Sequence, residues 1–222
     1  MPVRTERRLV AGPAGQIEVA LDWPSTDYVG TAFIGHPHPL FGGTLDNKVA
    51  ATLARAFVTA GWVAVRPNFR GVGDSAGSHD EGRGETDDFL HLIDTASRWS
   101  DGAVDPRRTL ALAGFSFGSF VAAQACARLT AEHRAPRHLV LIGAAAGKWP
   151  VPTVPPQTLV IHGELDETIP LADVFTWARP QELPIIVLPG ADHFFHRRLS
   201  TLKRLIVSHL HEQRFDAAVQ ND

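Results

Sequence analysis

The amino-acid sequence predicts an α/β fold with a mostly parallel central sheet, an N-terminal antiparallel hairpin and helices on both faces. Short apolar segments rich in β-branched residues alternate with longer segments whose apolar residues recur at helical spacing, which is typical of βαβ units. A turn that contains glycine and proline separates the first two strand-like segments. No internal repeat, low-complexity tract or long linker divides the 222 residues, so we expect a single domain spanning residues 1–222.

The first elements are the hairpin, a strand and a helix. Residues 7–11 and 17–23 flank Gly-Pro-Ala-Gly at 12–15, a sequence that favours a tight reversal between paired edge strands. The next strand, residues 29–35, leads into the unusual loop His-Pro-His-Pro-Leu-Phe-Gly-Gly at 36–43. A helix follows, because apolar residues recur at helical spacing: Val49, Leu53, Ala56, Phe57 and Ala60.

The alternation continues through the middle of the chain. A strand at 62–65 leads into a loop at 66–77, and polar residues 78–88 precede the next helix. That helix places four apolar side chains on one face: Phe89, Leu92, Ile93 and Ala96. A strand at 109–113 meets a short turn, and the small, apolar residues 119–129 then predict a helix that is buried on all sides.

The last third of the chain predicts three strands and a closing helix. The strands are expected at residues 139–142, 158–161 and 185–188. We expect His196 near the start of the helix, whose apolar residues again have helical spacing: Leu199, Leu202, Ile206 and Leu210.

The composition excludes several classes of protein. Hydrophobic residues make up 44% of the chain, which suffices for a sizeable core and argues against disorder. Lysine and arginine number 21 against 24 acidic residues, without a basic cluster, so we expect no nucleic-acid partner and no membrane partner. The single cysteine, Cys126, cannot close an intramolecular disulfide and is expected in the core. The charged N-terminus does not resemble a signal peptide, and a cytoplasmic protein is expected.

The pattern Gly-x-Ser-x-Gly occurs twice and offers two candidate nucleophiles, Ser116 and Ser75. A nucleophile elbow needs a strand that runs directly into the serine and a helix that begins just after it. Ser116 meets both requirements. Ser75 meets neither, because loop residues separate it from its strand and polar, glycine-containing sequence follows it. We therefore predict Ser116 as the nucleophile, and the alternative is a turn serine needed only for backbone geometry.

With these motifs the chain resembles the α/β-hydrolase superfamily over most of residues 16–213. The histidine loop at 36–43, the elbow, His-Gly-Glu-Leu-Asp at 162–166 and Gly-Ala-Asp-His at 190–193 stand in that superfamily's order. The histidine loop is similar to that of small, lidless, carboxylesterase-like bacterial serine hydrolases. The resemblance implies an α/β-hydrolase fold without a lid domain, because only the proline-rich residues 143–157 fill the place of a lid.

The superfamily's order of serine, acid and histidine directs the search for the other catalytic residues. Three acidic residues follow the strand at 158–161: Glu164, Asp166 and Glu167. The resemblance selects Asp166 from the pattern Gly-Glu-Leu-Asp. His193 and His196 both follow the last strand, and His193 is predicted as the base because it is nearer to the strand.

Backbone N–H groups are expected to form an oxyanion hole, because acyl transfer builds negative charge on the carbonyl oxygen. One donor should be the N–H of Phe117, the residue after the nucleophile. The second is expected in the loop 36–41, either from His38, if His36-Pro37 takes the place of the usual His-Gly, or from Leu40, if the register shifts by two residues. Strand length favours His38.

Metal and cofactor sites are weaker alternatives. His36 and His38, with His193 or His196, could form a metal site, but zinc needs three or four convergent ligands and no third ligand has recognisable spacing. A hydrogen bond between His36 and the loop backbone is the favoured interpretation. The glycines at 71–77 do not match a dinucleotide-binding loop. We expect no metal and no cofactor.

The predicted function is hydrolysis of a small-molecule carboxylic ester, with a small or short acyl group, through an acyl-enzyme. Ser116 would attack, His193 would move the proton and Asp166 would orient His193. A thioesterase, amidase or peptidase would use the same triad. A non-catalytic binding module is a further alternative, against which the complete set of serine, acid and histidine argues. Nothing in the sequence indicates an oligomeric state.

Overall fold

An eight-stranded sheet forms the centre of the structure, a computed structural model that describes residues 4–25, 28–100, 102–106 and 109–219. The strands are β1 (Arg4–Gly12), β2 (Gly15–Trp23), β3 (Gly30–Gly35), β4 (Trp62–Pro67), β5 (Leu110–Phe115), β6 (His138–Ile142), β7 (Leu159–Gly163) and β8 (Ile185–Leu188). Their order across the sheet is β1-β2-β4-β3-β5-β6-β7-β8. β1 and β2 form the predicted antiparallel hairpin at the edge, β2 pairs antiparallel with β4, and all other pairs are parallel.

Helices cover both faces of the sheet, as predicted. They are α1 (Lys48–Thr59), α2 (Arg83–Trp99), α3 (Phe117–Ala131), α4 (Leu171–Ala178) and α5 (Leu199–Val219). α1 and α5 pack on one face, whereas α2, α3 and α4 pack on the other. Successive residues of one strand serve opposite faces, so that Phe33 contacts one core and Ile34 the other. The parallel strands are therefore continuous apolar runs.

Three details of the helices differ from the sequence prediction. α4 was not expected, because only eight residues separate Pro170 from Arg179 and only two of them are buried. α2 begins at Arg83 rather than after residue 88. The buried Glu85 accepts the Gly82 N–H at 2.8 Å and thereby caps this polar first turn. His196 precedes α5, which begins at Leu199.

The segment between β6 and β7 contains no helix, so the expectation that a lid is missing is confirmed. A single bridge between Ala146 and Trp149 is its only strand-like pairing. Among the described helices, none combines the length and the apolar character that a membrane crossing requires.

Candidate active site

Ser116 lies at a sharp turn between a strand and a helix. β5 ends at Phe115, Ser116 follows at once, and α3 begins at Phe117. The φ angle of Ser116 is 56° and its ψ angle is −122°, a region that side chains other than glycine avoid at a cost of about 1–3 kcal/mol. This conformation places the serine at the carboxyl edge of the sheet, as a nucleophile elbow requires.

Two glycines make this turn possible. A Cβ atom on Gly114 would lie 2.0 Å from the carbonyl oxygen of Gly118, and a Cβ on Gly118 would lie 2.3 Å from that of Gly35. The backbone at Gly114 thus packs directly against the first turn of α3, and that turn packs against the end of β3. A side chain at either glycine would force these backbones apart.

The structure brings together Ser116, His193 and Asp166. The Ser116 Oγ lies 3.0 Å from the His193 Nε2, and the His193 Nδ1 lies 2.7 Å from the Asp166 Oδ2. The three residues follow β5, β8 and β7, whose carboxyl ends meet at one edge of the sheet. Each is 5–8% exposed, so the group is largely shielded from water.

The other acidic candidates do not approach His193. The Glu164 carboxylate accepts the Gly190 N–H at 2.7 Å, and Glu167 is exposed. The Oδ1 atom of Asp166, in contrast, accepts the backbone N–H groups of Thr168 and Ile169 at 2.9 and 2.8 Å. These bonds stabilise the charged form of a buried carboxylate.

His196, the alternative base, forms a separate pair. Its Nδ1 lies 2.6 Å from the Asp192 Oδ2, and its backbone N–H donates to the Asp192 Oδ1. Both side chains are largely exposed. Asp192 adjoins His193 in the chain but is bonded to His196, so it does not compete with Asp166 for the buried imidazole.

The two loops expected to hold an oxyanion meet beside Ser116. The Phe117 N–H is at the first position of α3, where helices leave N–H groups without an intrahelical partner. The ring of His38 lies 4.9 Å from that of Phe117. The Leu40 N–H donates to the His38 Nδ1 at 3.3 Å, whereas in the described part of the chain the His38 N–H has no acceptor.

His36 has the structural role that the sequence favoured. Its fully buried Nε2 accepts the Phe69 N–H at 2.9 Å, and its Nδ1 donates to the Pro37 carbonyl at 2.6 Å. Burial lowers the pKa of His36 to about 4, and the bond to Pro37 opposes this only in part. Within the described residues, no three histidine, cysteine or acidic side chains are grouped to hold a metal ion.

Ser75, the second serine in a Gly-x-Ser-x-Gly pattern, is a structural residue. Its buried Oγ donates to the Asn68 carbonyl at 2.8 Å and accepts the Glu18 N–H at 2.9 Å, which ties the loop after β4 to β2. Cys126 is 1% exposed, in the core as predicted, and burial raises the pKa of its thiol.

An aromatic wall, defined here as His38, His79, Phe117 and Trp149, stands on the oxyanion side of Ser116. Neighbouring rings in this wall have centroids 4.7–5.7 Å apart, as for His38 with His79 and with Trp149. The sequence indicated Phe117 as an oxyanion donor but did not indicate His79, whose Nδ1 lies 2.7 Å from the buried Glu85 carboxylate. The loop that contains His79 reaches the site only through the tertiary fold.

Ser119 is a further residue that the sequence did not indicate. Its buried Oγ donates to the Ser116 carbonyl at 2.5 Å and accepts the Ala145 N–H at 3.0 Å. It therefore fixes the segment 143–157 against the elbow. The signal was its place in the small-residue helix, which indicates burial but not this bond.

Comparison with known proteins agrees with this fold. A family model described as serine aminopeptidase, S33, matches residues 42–185, more than half of the chain. The chain belongs to this family. A solved serine hydrolase without a lid from Xanthomonas campestris is 36% identical, with a TM-score of 0.83 and coverage of 96% of both chains. A serine hydrolase homologue from Coxiella burnetii is 34% identical, with a TM-score of 0.76 and coverage of 92% of this chain and 97% of the other.

A third relative, an uncharacterized protein from Rickettsia prowazekii, is 27% identical over 217 residues, which cover 90% of this chain and 86% of the relative. The chain is thus a small, lidless serine hydrolase of the α/β-hydrolase superfamily. In this S33 family member the Trp149 ring lies where the chain is too short for a lid, stacked on Phe120 with ring centroids 5.3 Å apart.

Proposed function

We propose that this serine hydrolase cleaves small carboxylic esters through an acyl-enzyme, with Ser116, His193 and Asp166 as its catalytic triad. The observation that carries the proposal is the unbroken chain of contacts from the Ser116 Oγ to the His193 Nε2 and from the His193 Nδ1 to Asp166, at 3.0 and 2.7 Å. A serine hydroxyl needs such a base, and the base needs a group that fixes its tautomer.

The steps of ester hydrolysis follow from which atoms of Ser116 and His193 carry the protons. His193 accepts the Ser116 proton at Nε2 as the serine oxygen attacks the ester carbonyl, and it then gives that proton to the departing alcohol. A water molecule repeats the sequence on the acyl-enzyme. Asp166 accepts the Nδ1–H of His193 throughout and stabilises the transient imidazolium.

The oxyanion is assigned to the N–H groups of Phe117 and His38. Support for His38 over Leu40 comes from the bond that the Leu40 N–H already makes with the His38 Nδ1. The His38 imidazole accepts at Nδ1 and is therefore neutral. Burial and the nearby His79 lower the pKa of His38 despite the opposing charge of Glu85, so the ring stays neutral near pH 7.

A small or short acyl group fits the surroundings of Ser116. The rings of the aromatic wall contact one another and occupy the space on the oxyanion side, whereas no lid extends the site outward. Leu40, Phe41, Leu165 and Phe194 are exposed apolar residues of three loops at this edge. They offer an apolar rim to the rest of the substrate.

Peptide hydrolysis is the second candidate, because the matching family model is described as a serine aminopeptidase. An aminopeptidase must hold the ammonium group of its substrate, usually with a carboxylate. The buried carboxylates Asp166 and Glu85 are both occupied by hydrogen bonds within the protein. This favours an ester substrate.

The test is labelling with a fluorophosphonate, with the modified residue mapped by mass spectrometry, followed by a substrate panel. We expect label on Ser116, none on Ser116→Ala, and turnover of p-nitrophenyl acetate and butyrate above that of p-nitroanilides or thioesters. Folded wild-type protein that resists the label would support a binding module instead. Turnover by Ser116→Ala near that of the wild type would refute the triad.

A further inference from the structure

A second imidazole, that of His162, adjoins the Asp166 carboxylate. It lies in β7 and is fully buried, with its Nε2 2.9 Å from the Ile169 carbonyl oxygen and 3.3 Å from the Asp166 Oδ2. A carbonyl oxygen only accepts hydrogen bonds, so the ring proton is on Nε2 and is donated to Ile169, while the same N–H dipole lies beside the Asp166 Oδ2. Burial and, to a smaller extent, the nearby His193 lower the pKa of His162 more than Ile169 and Asp166 raise it, which makes the ring a neutral donor to the Ile169 carbonyl.

The carboxylate of Asp166 therefore has different partners on its two oxygens. Oδ1 accepts two backbone N–H groups, from Thr168 and Ile169. Oδ2 faces two imidazoles, the Nδ1 of His193 at 2.7 Å and the Nε2 of His162 at 3.3 Å. Rotation of the carboxylate away from this orientation would break contacts on both oxygens.

We propose that His162 is a positioning residue of the triad, which orients Asp166 through Ile169 and whose Nε2–H dipole moderates how strongly the Asp166 Oδ2 attracts the His193 proton. The inference rests on the proposed function, because it assigns a role within the same site. His162 is suited to it because it belongs to the sheet, whereas Asp166 follows in a loop. The bond to Ile169 also closes that loop, since Ile169 donates its own N–H to Asp166.

The effect of His162 on the charge of Asp166 should be visible in the pH dependence of kcat/KM. The positive end of the His162 Nε2–H dipole, 3.3 Å from Oδ2, offsets part of the negative charge that stabilises the His193 imidazolium. Without this donor, the imidazolium is stabilised more strongly and His193 takes up its proton at higher pH. The acid limb of kcat/KM, which requires neutral His193, then moves to higher pH.

The other groups around His193 stay in place in such a variant. Ser116 faces its Nε2 and Asp166 its Nδ1. Glu164 on the acid loop is bonded to Gly190, and Asp192 on the histidine loop is bonded to His196. A shift of the limb is therefore assigned to the change at residue 162.

The experiment compares His162→Leu, which removes the donor, with His162→Gln, whose amide nitrogen reaches the position of Nε2. His138→Leu is the matched control, because His138 is a buried histidine whose ring lies against Trp62 at the opposite edge of the sheet. For His162→Leu we expect kcat on p-nitrophenyl acetate to fall about tenfold, KM to change less than about twofold, and the acid limb to rise by about half a pH unit. His162→Gln should restore most of kcat, and His138→Leu should leave the limb unchanged.

Either of two results would overturn this role. A folded His162→Leu variant with wild-type kcat and an unmoved acid limb would show that His162 only packs. Equal losses in His162→Leu and His162→Gln, with an unmoved limb, would show a structural role alone. Should the leucine variant not fold, His162→Asn removes the same contact, because its amide ends short of Asp166, and the same two outcomes decide.

A titration separates this inference from the proposed function. NMR of the His193 imidazole in the Ser116→Ala background needs no turnover, and its titration midpoint should rise when His162→Leu is added. An unchanged midpoint overturns the positioning role even if the enzyme is an active esterase. Wild-type protein that neither hydrolyses esters nor takes the fluorophosphonate label refutes the proposed function, whatever the titration shows.

Discussion

Asp166→Asn tests whether the carboxylate sets the tautomer of His193. The Oδ1 position accepts the N–H groups of Thr168 and Ile169, so the oxygen of the asparagine must stay there. Its NH₂ group then occupies the Oδ2 position, 2.7 Å from the His193 Nδ1. Two donors cannot face each other at that distance, so Nδ1 must become the acceptor and the proton must move to Nε2.

A proton on Nε2 disables the base, because Nε2 must accept the Ser116 proton at 3.0 Å. The NH₂ group also faces the Nε2–H of His162, which adds a second conflict between donors. We expect kcat to fall by about 10³–10⁴, equivalent to about 4–5.5 kcal/mol of transition-state stabilisation.

The assay is steady-state hydrolysis of p-nitrophenyl acetate, together with the rate of fluorophosphonate labelling. Asp192→Asn is the matched control, because Asp192 adjoins His193 in the chain but pairs with the exposed His196. Its kcat should stay within about twofold of the wild type, since exposed pairs contribute little. If folded Asp166→Asn keeps more than about a tenth of wild-type kcat, the carboxylate does not set the tautomer.

Four further outcomes are expected. Ser75→Ala should lower the free energy of unfolding in urea by about 1–3 kcal/mol, because two buried backbone groups lose their partner, and leave kcat/KM unchanged; lost turnover at full stability would contradict its structural role. Between pH 6.5 and 4 the unfolded chain takes up a proton that buried His36 does not, so His36 should cost up to about 3 kcal/mol of stability as the pH falls, and urea unfolding should show a weaker pH dependence for His36→Gln. Gly118→Ala should lower the free energy of unfolding by at least about 2 kcal/mol in the same assay, because its Cβ would meet the Gly35 carbonyl. Wild-type stability would show that β3 can shift to accommodate the added methyl group. Because the site has no lid that must open at an interface, turnover should rise smoothly as an ester passes its solubility limit, and a sharp increase would contradict this reasoning.

The sheet and the three residues of the proposed triad were predictable because short local motifs mark each of them. Central parallel strands are buried on both faces and appear as continuous apolar runs, which predicted the positions of β3 to β8 within a few residues. The elbow depends on a strand, a serine and a helix in immediate succession, and this distinguished Ser116 from Ser75. The order of acid and histidine along the chain led to His193 and to three acidic candidates, among which the resemblance selected Asp166; the structure places Asp166 against His193 and His193 against Ser116.

The missed features depend on contacts between segments that are distant in sequence. α4 buries only Val174 and Ala178 and has no long apolar stripe that a pattern could detect. The early start of α2 depends on Glu85, a charged residue whose burial is evident only when its partners at 79–82 surround it. The sequence left open whether His38 or Leu40 supplies the second oxyanion donor, because the answer depends on how the loop folds around the His38 imidazole.

Buried neutral side chains hold the loops of this site in the absence of a lid. His36 fixes the loop after β4 through the Phe69 N–H, Ser119 fixes the segment 143–157 through the Ala145 N–H, and His162 fixes the acid loop through the Ile169 carbonyl. Each is a neutral group that meets a buried backbone partner, so it adds rigidity without adding charge beside Ser116. Burial lowers the pKa of both histidines, and at His162 this leaves uncharged a ring that would otherwise compete with His193 for the negative charge of Asp166.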